Sequence, residues 1–357
     1  MNQTTPSTAQ LYDLDLPALQ SLLESWGEPA YRAHQLWEWL YLHLVDSFDQ
    51  MTNLPKSLRE RLASKTTIGA PRVADTVVSE DGETRKDLLQ LTDGEAVEAV
   101  LMHYERRHTA CISTQVGCLI GCAFCATGQM GFRRNLTGGE IVAQALHFAR
   151  LLRPKQDRLS NVVLMGMGEP LLNYDATLAA IHRLTDPQGL NIGQRHITLS
   201  TVGIAPGIEL LADEASHHGG SLQVTLAVSL HAATDQLRDQ LIPMNRRYNL
   251  DALFKACHYY VQRTGRRVSF EWALIEGVND TPQQAQALAA RLAGISSHVN
   301  LIPLNPTTGY DGKPSSKEAL DAFTKELDRR LISYTVRLRR GIDIQAGCGQ
   351  LRQRNQT

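Results

Sequence analysis

The stretch Cys118-Leu-Ile-Gly-Cys122-Ala-Phe-Cys125, followed by Ala-Thr-Gly-Gln-Met-Gly-Phe-Arg133-Arg134, decides how the rest of the chain is read. Its cysteines stand at i, i+4 and i+7, which on a helix would place them on one face among small apolar residues. Gly117, Gly121 and Gly128 are interleaved with them, and each glycine costs a helix interior about 1 kcal/mol. A glycine-rich loop that lets three thiolates converge on one point is the better reading. Three thiolates are one short of the four protein ligands that close a structural zinc or iron–sulfur site. A [4Fe-4S] cluster held by three cysteines keeps one iron open to a small molecule.

Composition sets the outer bounds. With 357 residues there is room for one large domain and a small one. A hydrophobic content of 43% and a charged content of 20% are ordinary for a soluble globular protein. No apolar run approaches the roughly 20 residues that span a membrane. The N-terminus, Met-Asn-Gln-Thr-Thr-Pro-Ser-Thr-Ala-Gln, does not read as a signal peptide, and its ten residues are expected to be disordered. Of six cysteines, three are crowded together and Cys111, Cys257 and Cys348 are scattered. That is not a secreted disulfide framework, and a reducing cytoplasm fits. Cys257 reads as core packing.

The formal net charge of −1 does not mark a nucleic-acid binder. Arginines do gather at Arg106-Arg107-His108, Arg133-Arg134, Arg246-Arg247, Arg266-Arg267 and Arg337 with Arg339-Arg340. Each run, taken alone, reads as a solvated face. Residues 11–69 carry eight acidic and five basic side chains, a net of −3, and look helical. Asp15-Leu16-Pro17 starts a helix with Leu19, Leu22 and Leu23 on one face. A second amphipathic helix runs through Tyr31, Gln35, Leu36, Trp39, Leu40 and His43, and a third from Leu54-Pro55 to Leu62. A small acidic helical bundle of this kind suits an accessory domain.

The period then changes. Val73–Val78, Arg85–Leu91 and Ala96–Met102 are β-like runs separated by the turn signals Asp81-Gly82 and Asp93-Gly94. Glu98, between Val97 and Ala99, reads from pattern alone as a solvent-facing strand residue. Strand-like runs follow at Thr109–Ser113, Asn161–Met165, His196–Ser200, Gln223–Leu230, Val268–Leu274 and Val299–Pro303. Helix-like segments such as Gly139–Leu152, Asp175–Thr185, Gly207–His217, Leu250–Thr264 and Thr281–Leu292 separate them. Strands alternating with helices imply an α/β fold with parallel pairing. A closed eight-unit barrel needs more chain, so an open, six-stranded partial barrel is expected. A further strand, Tyr334–Arg339, leads into a tail ending Ala346-Gly-Cys348-Gly-Gln-Leu351.

Ligands of parallel β/α folds bind at the C-terminal ends of the strands. Those ends carry the cysteine loop, Gly166-Met-Gly168-Glu169-Pro170, Ser200, Ser229-Leu230-His231 and Asn305-Pro306. Gly166-Met-Gly168 is not a dinucleotide fingerprint, because Leu171 stands where the third glycine belongs, and no P-loop motif occurs anywhere.

The C-x3-C-x2-C loop resembles that of the radical S-adenosylmethionine (SAM) enzymes. Together with Cys111-Ile-Ser-Thr-Gln-Val-Gly-Cys118, Gly166-Met-Gly-Glu-Pro170, Ser229-Leu-His231 and Ala346-Gly-Cys348-Gly-Gln-Leu351, it makes nearly the whole chain similar to the RlmN/Cfr family of RNA methyltransferases. The resemblance implies a radical SAM partial (β/α)6 barrel over residues 109–340. An N-terminal helical accessory domain (1–70), a β-hairpin-like extension (71–108) and a tail (341–357) with a methyl-carrying cysteine would surround it. It implies Cys118, Cys122 and Cys125 as ligands of a [4Fe-4S] cluster. Gly168, Glu169, Ser200, Ser229, Leu230, His231 and Asn305 would contact SAM, consumed twice per turnover.

By the same resemblance Cys348 becomes S-methylated, Cys111 resolves a later covalent intermediate through a disulfide, and Glu98 accepts a proton. Gly347 and Gly349 would let the Cys348 loop swing. The implied reaction methylates carbon-2 of adenosine in 23S rRNA and tRNA, in the cytoplasm, with an electron donor such as flavodoxin or ferredoxin and no membrane partner. A monomer is expected. Carbon-8 methylation of the Cfr type shares all these residues and stays open. A glycyl-radical activase would not need Cys111 and Cys348 in these contexts, and a structural metal protein would need a fourth ligand and not Glu169.

Overall fold

The structure is a computed structural model that describes residues 9–217, 222–337 and 340–352. Of the ten N-terminal residues expected to be disordered, Ala9–Gln10 instead pairs in parallel with Thr66–Thr67; residues 1–8 lie outside the described residues, as do Leu338 and Arg339 of the last expected strand.

Ten strands form one sheet. β1 (Arg72–Val78), β2 (Thr84–Gln90) and β3 (Ala96–Tyr104) make an antiparallel meander, and β4 (Arg107–Cys111) pairs antiparallel with β3. Its turns fall where the Asp-Gly pairs predict, with Gly82 N donating to Ser79 O at 2.9 Å and Gly94 N to Leu91 O at 3.1 Å. On its other edge β4 begins a parallel array. β5 (Leu159–Leu164), β6 (Ile197–Thr201), β7 (Thr225–Ser229), β8 (Val268–Leu274), β9 (Ser297–Pro303) and β10 (Tyr334–Val336) follow in spatial order. The meander therefore extends the barrel sheet itself. Cys111 on β4, Ile302 on β9 and Arg337 after β10 line one cavity, so the sheet curls into an open barrel.

Crossovers are helical, as parallel pairing requires. Gly138–Leu152 begins with a capping box between Thr137 and Glu140, and Leu250–Thr264 is capped by Asn249. Asp235–Leu241 and Lys317–Arg329 add two further helices. With helices outside and side chains inside, β8 is buried along its whole length.

In the N-terminal bundle Asp15 caps Leu16–Glu24, accepting from Ala18 N at 2.8 Å. The next helix, Tyr31–Tyr41, presents a different face from the expected one. It buries Ala33, Leu36, Trp37, Leu40 and Tyr41, a consistent i, i+3, i+4, i+7, i+8 stripe. Tyr31 is 54% exposed, His43 lies beyond the helix, and half-buried Trp39 spends its ring N–H on Asn53 Oδ1. Lys56–Lys65 is the third helix. The bundle is tied to the barrel through Asp13, whose carboxylate accepts from Gly139 N at 2.9 Å and whose carbonyl accepts from Arg183 at 2.7 Å.

Candidate active site

One cavity at the C-terminal ends of the strands is lined by Cys118, Cys122, Cys125, Gly168, Glu169, Ser200, Ser229, His231, Asn305 and Cys348. Sequence positions more than two hundred residues apart thus meet at one place. Leu230 does not line it. That residue is fully buried, and its backbone instead bridges the barrel, the N–H to Glu271 O at 3.0 Å and the carbonyl to the Arg238 guanidinium at 3.1 Å.

The cysteine loop is a loop because of its glycines. Gly117 has φ +76°, and a Cβ there would lie 2.0 Å from Gly131 O; in its place Cys118 N donates to Gly131 O at 2.9 Å. Helix resumes only at Ala126–Gln129, which contains Gly128. Among the described residues no three His, Cys, Asp or Glu side chains stand close enough to hold a single metal ion. Cys118, Cys122 and Cys125 all line the one cavity, as the glycine-rich loop leads one to expect, and a polynuclear cluster would let each thiolate bind a different iron. Burial pushes the Cys118 thiol up to about 12 and raises Cys122 strongly. Beside Cys122, the buried Arg238 is pinned to carbonyls of Val202, Ser229 and Leu230 and offers a fixed positive charge to an anionic centre. Pattern alone missed Arg238, which lies on a short helix where an arginine reads as exposed.

Glu169 follows Gly168, whose φ of +103° and approach to Gln115 exclude a side chain. The Glu169 carboxylate is 2% exposed and accepts from Leu171 N at 3.1 Å and Val202 N at 2.8 Å. Burial raises its pKa to about 7. Among the described residues no side-chain cation pairs with it, so the cavity offers an ammonium group a buried carboxylate to meet. Asn305 adds a second unfilled valence. Its Nδ2 donates to Cys348 O at 3.1 Å, while its buried Oδ1 has no partner and is open to a ligand donor. His231 sits at φ +56° with Nδ1 accepting from Ala273 N at 2.8 Å. Burial lowers its pKa to about 3, so the ring is neutral and carries its proton on Nε2.

Cys348 rides on the tail, which docks directly on the cysteine loop. Gly349 O accepts from Ala126 N at 2.7 Å and Leu351 O from the Thr127 hydroxyl at 2.6 Å. Cys348 is solvent-accessible inside the cavity, though enclosure by protein raises its pKa. Cys111 does not line this cavity. It lines a second one that shares Cys348, Met165, Glu271, Ile302, Asn305 and Leu351 with the first. The two thiols face the same space. Glu271 was missed by sequence reading because it lies in a strand buried on both faces. Its carboxylate, 7% exposed, accepts from Asn300 Nδ2 at 2.7 Å, and burial raises its pKa.

Glu98 is 3% exposed, which overturns the solvent-facing reading. It lines neither cavity. Oε1 forms an ion pair with the equally buried Lys86 at 3.1 Å, and Oε2 accepts from Arg352 N at 2.8 Å. Lys86 in turn donates to Gln345 O at 3.1 Å. The pair clasps the tail on both sides of Cys348. Cys257 is buried in its helix, as expected.

Residues 9–68 match the ribosomal RNA large subunit methyltransferase N-terminal domain, and residues 112–288 match the radical SAM superfamily. A dual-specificity RNA methyltransferase RlmN 1 from Myxococcus xanthus is 51% identical over 97% of this chain and 95% of its own. The chain belongs to the RlmN family of radical SAM RNA methyltransferases. A probable dual-specificity RNA methyltransferase RlmN from Chloroflexus aurantiacus is 49% identical over 96% of this chain and 92% of its own. The crystal structure of a radical SAM methyltransferase from Sphaerobacter thermophilus superposes with a TM-score of 0.93 at 48% identity, covering 96% of this chain and 99% of the other. Membership in the radical SAM superfamily implies a [4Fe-4S] cluster and SAM. Three cavity-lining thiols, the fixed Arg238 charge, unpaired Glu169 and the orphan Asn305 Oδ1 fit that pair of groups. Among the described residues no helix is long and apolar enough to cross a membrane.

Proposed function

We propose that this enzyme methylates carbon-2 of adenosine in 23S rRNA and tRNA, carrying the methyl group on Cys348 and resolving a protein–RNA adduct with Cys111. The observation that carries the reading is that Cys348 lines both cavities, facing the cysteine loop and Glu169 on one side and Cys111 on the other. Adenine carbon-2 is not nucleophilic and cannot displace a methyl group from SAM, so a thiolate must take the methyl first. When bound, the cluster and SAM supply that methyl group and, from a second SAM, a one-electron route to a 5′-deoxyadenosyl radical.

The chain's own residues do the rest. Cys118, Cys122 and Cys125 hold the cluster, and Glu169 meets the SAM ammonium. The side chains of Ser200, Ser229 and Asn305 and the Nε2–H of His231 supply polar contacts around the remainder. Cys348 sulfur gains the methyl by displacement, that methyl gives one hydrogen atom to the 5′-deoxyadenosyl radical, and the resulting S–CH2 carbon bonds to adenine carbon-2. The ring proton then leaves the base with one electron, which the cluster that supplied an electron for SAM cleavage would take back. The Cys111 thiolate attacks Cys348 sulfur, the S–CH2 bond breaks with its electron pair going to carbon, and that carbon takes a proton to become the product methyl. A Cys111–Cys348 disulfide remains and needs two electrons from a thiol reductant, while a donor such as flavodoxin or ferredoxin would supply the single electron the cluster needs. Glu98 accepts the ring proton once the tail shifts and takes the Arg352 N–H away from it. The enzyme works in the cytoplasm as a monomer.

The test is mass spectrometry of methyladenosine isomers in RNA from a null strain and from the strain complemented with this chain. Restoration of 2-methyladenosine in 23S rRNA and tRNA is the expected result. Restoration of 8-methyladenosine alone would assign the Cfr-type reaction. Complementation with the Cys348→Ala variant should restore neither isomer.

A further inference from the structure

The second cavity is more than a place for two thiols. Arg107, Thr109 and Cys111 alternate onto the inner face of β4 and line it together with Asn161, Val163 and Met165 of the neighbouring strands. Four residues of extended chain separate Arg107 from Cys111, roughly 13 Å. At one end of this passage stand Cys111 and Cys348. Its exposed rim holds Arg107 of β4 and Arg337 just after β10, with half-buried Tyr104 and Arg340, and Arg337 is close enough to Glu271 and Cys348 to act on both electrostatically.

That rim is strongly cationic. The guanidiniums of Arg107 and Arg340 lie 4.6 Å and 4.5 Å from the Tyr104 ring centroid. Arg340 also donates to His103 O at 3.1 Å and lies 3.8 Å from the exposed Glu83. Among the described residues no carboxylate forms an ion pair with Arg107 or Arg337, and both are exposed. The only acid on the cavity wall among the described residues, Glu271, is buried deeper, beside Asn300. Sequence alone had these arginines as solvated faces. The fold joins three of them, from two distant runs, around the way to the reacting thiols.

A base can meet Cys348 only if it leaves its stack, so its nucleotide must enter as single strand. Its flanking phosphates then stay outside, at the mouth. We propose that this arginine-rimmed opening binds the sugar–phosphate backbone of a single-stranded RNA segment. The guanidiniums of Arg107, Arg337 and Arg340 take the phosphates on either side of the nucleotide whose base reaches Cys111 and Cys348. Guanidinium forks suit this role because they bind phosphate oxygens in bidentate fashion. The inference rests on the RNA-methylating reading above and adds where the RNA enters.

The test compares cluster-reconstituted enzyme with its Arg107→Gln/Arg337→Gln variant, using an unmodified 23S rRNA transcript. Cluster absorbance and circular dichroism establish that the variant is folded and loaded. Affinity should fall on the order of tenfold for each guanidinium removed. The slope of log affinity against log salt should flatten by about 0.7 for each single-strand phosphate no longer neutralised. Arg107→Lys/Arg337→Lys should recover the slope and only part of the affinity, since charge returns without the fork.

Arg267 serves as control, on a separate groove that it lines with Arg195, Arg263 and Arg266. Arg267→Gln should bind RNA like the parent. An unchanged affinity and slope in the Gln/Gln variant would overturn the proposal, as would an equal loss in Arg267→Gln. So would a variant that keeps RNA affinity but loses cluster reduction by an acidic redox protein such as flavodoxin. A parent enzyme that neither binds nor methylates the transcript would overturn the RNA reading itself, which is a different result.

Discussion

The cysteine loop and the tail face each other across one cavity, yet they are held there by different means. The loop is shaped by its neighbours in sequence, with Cys118 N on Gly131 O, Cys125 N on Cys122 O and Gln129 N on Cys125 O. The tail is placed by residues far away in the chain. Thr127 reaches Leu351 across 224 positions, Arg352 reaches Glu98 across 254, and Lys86 reaches Gln345 across 259. A tail whose placement depends on long-range contacts can be released by breaking a few of them, which suits a cysteine that must face two cavities in turn.

The largest effect expected from this contrast is on the loop. Cys118→Ala, Cys122→Ala or Cys125→Ala should each abolish release of 5′-deoxyadenosine from SAM, measured by liquid chromatography after reduction. Anaerobically reconstituted parent protein should bind about four iron and four sulfide. A triple variant that still cleaves SAM reductively would make the loop a bystander.

Next in size is a change in the order of events at the tail. Cys111→Ala should retain the cluster, because Cys111 lines only the other cavity, and should accumulate a covalent protein–RNA adduct through Cys348. The adduct should appear as a denaturant-resistant gel shift that disappears after RNase digestion, and should be absent from the Cys111→Ala/Cys348→Ala double variant. Normal turnover by Cys111→Ala would remove it from the mechanism.

Glu169→Gln should weaken SAM binding about 10- to 100-fold, the cost of losing a charge-assisted hydrogen bond, as read by equilibrium dialysis. The same residue gives a pH signature in the SAM-free protein. Its folded pKa, about 7, exceeds the ordinary 4.5, so the folded state holds the proton more tightly. Its contribution to stability is full below pH 4.5 and is lost as pH rises through 7, with a slope of up to about 1.4 kcal/mol per pH unit. Glu169→Gln should flatten that fall in denaturant melts. A parent protein whose stability rose over this window relative to the variant would contradict the burial argument.

A further set of variants separates clasp from catalysis at Glu98. Lys86→Ala removes one partner of a buried ion pair and should destabilise the protein by about 3–5 kcal/mol, whereas Lys86→Met/Glu98→Gln should come close to the parent. Both variants should expose the tail to limited proteolysis sooner than the parent does. Glu98→Gln should also slow adenosine methylation while leaving Cys348 methylation intact. A tail equally protected in all of these proteins would show that the ion pair does not hold it.

Much of this molecule was legible in the sequence because the relevant forces are local. Asp-Gly turns, alternating strands, the helix start at Asp15 and the glycine-broken cysteine loop follow from backbone sterics and neighbouring side chains. The strand ends, and so most of the residues around the first cavity, could be named before any coordinates. Tertiary structure alone decided the rest. Glu98 and Lys86 lie on adjacent strands where alternation predicts exposure, and only the tail folding over them makes them a buried pair. Glu271 and Arg238 are silent in a one-dimensional pattern, since burial of a charge depends on what closes around it. Leu230 bears on the site only through its backbone. Arg107, Arg337 and Arg340 belong to ordinary basic runs until the sheet curls and brings its two edges together. Periodicity reports which face a residue takes, and the enclosure that gives a charge its chemical role comes from chain segments hundreds of positions away.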